Sequence, residues 1–99
     1  MLNKKTSPKG KSVRVTFQLP AEVADESVAV VGDFNEWNAA KHPMKFDKKK
    51  GVWSKSISLK PGGQHEFRYF VDGSTWRNDE AADWYVSNPY FCENGVIEL

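Results

Sequence analysis

Residues 13–19, VRVTFQL, alternate without a break: Val13, Val15, Phe17 and Leu19 are apolar, and Arg14, Thr16 and Gln18 between them are polar. A two-residue period places one set of side chains on each face of an extended chain, so this segment is a strand with a buried face and a wet face. Pro20 ends it. No single strand can bury its apolar face alone, so other strands must complete a sheet.

Four later segments supply them. SVAVVGDF (27–34) is richer in valine and is expected to lie deeper. GVWSKSISL (51–59) places Trp53, Ile57 and Leu59 on one face, with Trp53 read as core. Lys55 shares that face, which suits a position near an edge, where the stem packs and the ammonium reaches water. HEFRYFVDG (65–73) puts Phe67, Tyr69 and Val71 on one face and Glu66, Arg68 and Phe70 on the other. Asp72-Gly73 is a hairpin signal, and PGGQ (61–64) is a turn. NGVIEL (94–99) closes the chain as a strand. Short strands with turns every 8–12 residues or so predict an all-β sandwich or small barrel. NDEAADWY (78–85) is the one segment with helical character, capped by Asn78 or Asp79 and carrying acids in its first turn.

The chain has 99 residues, enough for one domain. Residues 1–11, MLNKKTSPKGK, read as a flexible basic arm, and 12–99 as the folded module. A formal net charge of +1 offers no field that would recruit nucleic acid or an anionic membrane surface. One cysteine, Cys92, permits no internal disulfide and no zinc cluster, and is read as a small buried hydrophobe. The two histidines, His42 and His65, have no metal-ligand spacing, so no cofactor is expected. No signal peptide or membrane span is legible, so the expected location is the cytoplasm, or the chain is a piece of a larger protein.

Catalysis finds little support. A glycosidase needs two carboxylates flanking a cleft, and Asp33, Asp72, Asp79 and Asp83 sit in turn-like segments, where acids bond their own backbone. The aromatic residues are more informative. Trp37 lies just past a strand end, Trp76 just past the Asp72-Gly73 turn, Trp84 and Tyr85 in the next loop, and Tyr90 and Phe91 before the last strand. Rings exposed in several turns mark an interaction face. Nucleobases and sugar rings both stack on such platforms. The near-zero charge disfavours the first, since phosphate neutralisation needs clustered cations.

GDFNEW, HEFRYFVDGSTW and ENGVIEL, in that order, resemble the carbohydrate-binding module family 48 group. That group includes the glycogen-binding domain of the AMP-activated kinase β-subunit and the early-set domains of isoamylases and glycogen-branching enzymes. The likeness covers residues 12–99. It implies an immunoglobulin-like β-sandwich that binds α-1,4-linked glucan, glycogen or starch, without catalysis. It assigns ring stacking to Trp37 and Trp76, hydroxyl bonding to Arg68 and Asn94, and the inner side of the glucan curve to Tyr90. Arg68 stands where the kinase domains have lysine, and Tyr90 where they have an aliphatic residue. RNDEAADWY is closer to small bacterial early-set proteins. Two other roles fit the same resemblance: an early-set domain that packs on a glycoside hydrolase family 13 branching or debranching barrel, and a protein-interaction module with a catalytic or kinase partner chain.

Overall fold

The alternating segments pair as two antiparallel sheets. A computed structural model describes residues 2–7, 9–88 and 93–99. Nine strands lie within them: β1 (Leu2–Thr6), β2 (Val13–Pro20), β3 (Val28–Gly32), β4 (Lys45–Asp47), β5 (Val52–Leu59), β6 (Gln64–Val71), β7 (Thr75–Arg77), β8 (Trp84–Ser87) and β9 (Glu93–Glu98). The first sheet runs β1-β2-β5-β4. The second runs β3-β6-β9-β8, with β7 also paired to β6. The expected β-sandwich is therefore present. Among the described residues no helix is long and apolar enough to cross a membrane.

Register carries the alternation into the core. Val15 stands opposite Ile57 and Leu19 opposite Trp53; Val28 stands opposite Val71 and Val30 opposite Tyr69. These inward residues, with Phe17, Phe67 and Ile97, form one buried cluster between the sheets. Its centre is aromatic. Phe17 meets Phe67 edge-on at 5.3 Å between ring centroids, and Phe67 meets Tyr69 edge-on at 5.7 Å, the arrangement that ring quadrupoles favour. Trp53 is half-buried at the margin of the cluster, against Phe46 at 5.3 Å. The expected core position thus holds only at the cluster's edge.

Two expectations need correction. Residues 2–6 are not a flexible arm but strand β1, with Leu2 opposite Phe17 and Lys4 opposite Val15. Leu2 packs against the core. The Lys4 ammonium hydrogen-bonds the Asp83 carboxylate and the Glu98 carbonyl, the latter at 2.9 Å. One inward lysine therefore clasps the edge of the first sheet to the β8–β9 edge of the second. The sequence hides this because its single aliphatic residue carries no period.

The helical reading of 78–85 also fails. Asp79 does not cap a helix. It turns the chain by accepting from the Ala81 amide at 2.7 Å and from the buried Tyr69 hydroxyl at 2.5 Å. Its carbonyl accepts from the Tyr85 hydroxyl. The chain then enters β8, with Trp84 opposite Val96 and Val86 opposite Asn94. A two-sided strand, not an amphipathic helix, uses the apolar residues here.

Burial, and then the charge and hydrogen bond of Asp79, hold the Tyr69 phenol protonated well above its ordinary 10.0. The folded state therefore keeps a proton that the unfolded chain loses, so this contribution is full below pH 10.0 and falls as pH rises beyond it. Tyr69→Phe removes the donor from a buried carboxylate and is expected to cost about 1–3 kcal/mol at neutral pH. Urea melts should show that loss at neutral pH and a shrinking difference from wild type above pH 10.0.

Candidate functional site

β6 is shared between the core and the outer surface of its sheet. Its odd-numbered residues Phe67, Tyr69 and Val71 are buried inward, so Glu66, Arg68 and Phe70 stand outward. Each carries its neighbours with it. Ala29 stands opposite Phe70 and Val31 opposite Arg68 on β3. Val96 stands opposite Glu66 on β9. Trp76 stands opposite Phe70 on β7.

Trp76 reaches this face because the Asp72-Gly73 turn returns the chain tightly. Both residues have positive φ, 52° and 68°. The Asp72 carboxylate accepts from the Ser27, Asp25 and Glu26 amides, at 2.7–3.1 Å. Those amides, Ser27 first, hold its carboxyl below the ordinary 3.8. The paired register sets the Trp76 ring 4.7 Å from that of Phe70, and the Arg68 guanidinium carbon lies 5.5 Å from the Trp76 centroid. Trp76 remains 44% exposed. Arg68 Nε is buried and has no hydrogen-bond partner among the described residues.

The GDFNEW turn places Trp37 at the other side of β6. Gly32 has no room for a side chain: a Cβ there would lie 2.5 Å from the Glu66 carbonyl and 2.6 Å from the Phe34 ring. Asp33 latches the turn to β6, bonding His65 Nδ1 at 2.7 Å and accepting from the Glu66 amide at 3.0 Å. Phe34 leans on Phe17 and His65. Asn35, 2% exposed, closes the free edge of β3, accepting from the Gly32 amide and donating to the Val30 carbonyl, both at 3.0 Å. Glu36 and Trp37 both adopt φ of 58°, a left-handed conformation that costs about 1–2 kcal/mol for a side-chain-bearing residue. The Trp37 amide is thereby brought to the Gly32 carbonyl at 2.9 Å, while its side chain stays 40% exposed. A bulky residue held in strained backbone and left in solvent is the pattern of a functional position.

Asn94 belongs to the same outer face but is nearly covered. It donates to Glu66 Oε1 and accepts from Asn88 Nδ2, each at 3.1 Å. It stands in the row next to Arg68, since Gly95 faces Phe67. Tyr90 and Cys92 lie outside the described residues. The structure thus joins Arg68 and Trp76 directly, brings Asn94 alongside, and places Trp37 across β6. Sequence reasoning set Trp84 in a loop and outside the assigned site residues; β8 carries it outward beside Val96. The signal available was the alternation of Trp84 and Val86 around Tyr85.

The site thus shows an exposed indole beside a guanidinium on the outer face of one sheet of a β-sandwich. The chain belongs to the carbohydrate-binding module 48 (isoamylase N-terminal domain) family, which matches residues 5–90. Over 42 residues it is 43% identical to 1,4-alpha-glucan branching enzymes of Xanthomonas axonopodis pv. citri, Xanthomonas oryzae pv. oryzae and Xanthomonas campestris pv. campestris. The match takes in 41% of this chain and 6% of each enzyme. The chain therefore corresponds to only a small part of those proteins.

The Trp37 turn should weaken in acid. Asn35 Nδ2 donates to His42 Nδ1 at 2.8 Å, a bond that needs the ring nitrogen unprotonated. Burial, then Lys55 and Lys41, hold His42 below its ordinary 6.5. The unfolded chain then takes up the proton first, so this contribution is full above pH 6.5 and is lost as pH falls through the lowered value. Urea melts on either side of that window should show a smaller acid loss for His42→Gln, whose amide oxygen accepts at every pH. Equal acid loss in both proteins would contradict this.

Proposed function

We propose that the chain is a non-catalytic module that binds α-1,4-linked glucan, glycogen or starch, on the outer face of the β6 sheet. The observation that carries this reading is the exposed Trp76 ring against Phe70, with the Arg68 guanidinium beside it. A glucose ring offers an apolar C–H face to the indole and hydroxyl oxygens to the guanidinium. The family name supports a carbohydrate ligand, and the relatives are named for 1,4-alpha-glucan. Trp37 supplies a second ring. Tyr90 and Asn94 complete the proposed set, Asn94 through the network that orients Glu66.

The magnitudes suit weak, reversible binding. If each stack resembles base stacking it contributes roughly 1–3 kcal/mol. Two stacks with solvent-competed polar contacts give about 4–7 kcal/mol, on the order of millimolar to ten micromolar. A second reading rests on the relatives being branching enzymes: the same face packs on a catalytic barrel elsewhere in a larger protein. Sugar binding by the isolated chain separates the two.

Calorimetry with β-cyclodextrin is expected to show saturable binding, and a cellulose oligosaccharide none. Trp37→Ala and Trp76→Ala should abolish it with little change in melting, whereas Trp53→Ala should cost about 3 kcal/mol of stability. Arg68→Ala should lose about 1–3 kcal/mol of affinity, and Arg68→Lys less. Asn94→Ala should lose stability as well, because it removes the bonds that tie Glu66 and Asn88 to β9. Affinity should be nearly independent of salt, since a neutral sugar releases no counterions. No saturable binding at several millimolar ligand overturns the proposal.

A further inference from the structure

Trp84 is 37% exposed although it sits within a paired strand. Among the described residues no aromatic ring, hydrogen bond or cation engages it, unlike Trp76. Its register is unambiguous. Trp84 stands opposite Val96, and Val96 stands opposite Glu66. Since Glu66 shares the outward face with Arg68, so does Trp84. Val96, between them, is 2% exposed, so the outer face is roofed there and not open backbone.

The spacing from Trp76 can be read from the ladder. β7 and β9 follow one another along the same side of β6, and β8 lies one strand further out. Trp76 is level with Phe70 and Trp84 with Glu66, four residues apart along β6. With about 4.8 Å between strands and about 3.3 Å per residue, the two backbone positions are about 14 Å apart. Glu66 and the Arg68 guanidinium stand in the rows that this path crosses. A ligand of one or two sugar units on Trp76 stays clear of Trp84, and a longer one running toward β8 meets it.

We propose that Trp84 is an additional stacking subsite that makes the face selective for longer α-glucan chains. The inference rests on the α-glucan reading and extends it to ligand length. The position is held firmly at both flanks. Before it, the Asp83 amide donates to the Val96 carbonyl at 2.9 Å, and the Asp83 carboxylate takes the Glu98 amide and the Lys4 ammonium. After it, the Tyr85 hydroxyl bonds the Asp79 carbonyl. The indole is thus mounted on a fixed strand, partly exposed on the same face as Arg68.

The test titrates the full chain and its Trp84→Ala and Trp84→Tyr variants with maltose and with maltooctaose, with thermal melts confirming folding. Trp84→Ala is expected to lose about tenfold in maltooctaose affinity, one stack's worth, and to keep its maltose affinity. Trp84→Tyr should retain most of the maltooctaose affinity. In the wild-type protein the Trp84 indole N–H resonance should shift with the longer sugar and not the shorter. Unchanged maltooctaose affinity in Trp84→Ala, or an equal loss for both sugars, overturns the subsite. Failure of wild type to bind either sugar overturns the α-glucan reading itself, so the two failures are distinguishable. Should Trp84→Ala not fold, the tyrosine variant and the wild-type resonance carry the same decision.

Discussion

Everything in this fold depends on β6 having two useful faces. Its inward residues, Phe67, Tyr69 and Val71, form the middle of the core. Its outward residues, Glu66, Arg68 and Phe70, are the floor of the proposed platform. A strand enforces that division at every residue, so the packing that fixes the core also fixes the height and spacing of Arg68 and Phe70. A slip of one residue would bury the guanidinium and expose Tyr69. The core thus supplies the rigidity that the proposed binding face would need, since preorganised groups lose little entropy on binding.

The buried polar side chains repeat that logic. Asn35, Asp79 and Asn94 are each covered, and each holds a segment of the platform. Asn35 closes the β3 edge and sets the Trp37 turn. Asp79, anchored by Tyr69, fixes the chain between Trp76 and Trp84. Asn94 ties Glu66 to Asn88 beneath the outer face. A buried polar group carries a desolvation penalty unless it is bonded, and here the bonded geometry positions rings as well as offsetting that penalty. The proposed glucan face and the stable fold share these residues, so several substitutions will alter both.

The core strands were legible because alternation is a direct consequence of strand geometry. Val13–Leu19 and 65–71 show it without interruption. The outward direction of Arg68 followed from the same parity. β1 was not legible, because Leu2 is its one aliphatic residue and Lys4 acts by reaching across the sandwich edge. β7 has no buried residue and exists because the Asp72-Gly73 turn and Phe70 impose it. β8 was hidden by acids that read as a helix start, when Asp79 is committed to Tyr69. The partnering of Asn94 with Glu66 and Asn88 depends on three segments meeting, which no local pattern contains.

The central claim is that the outer face of β6, with Arg68 between Trp37 and Trp76, is where glucan binds. The most direct measurement is a two-dimensional NMR titration of the nitrogen-labelled chain with β-cyclodextrin. The account predicts shifts concentrated at the indole N–H groups of Trp37 and Trp76 and at the Arg68 side chain. Shifts confined to the opposite sheet around Arg14, Thr16 and Ser56, or no shifts at saturating sugar, would contradict it.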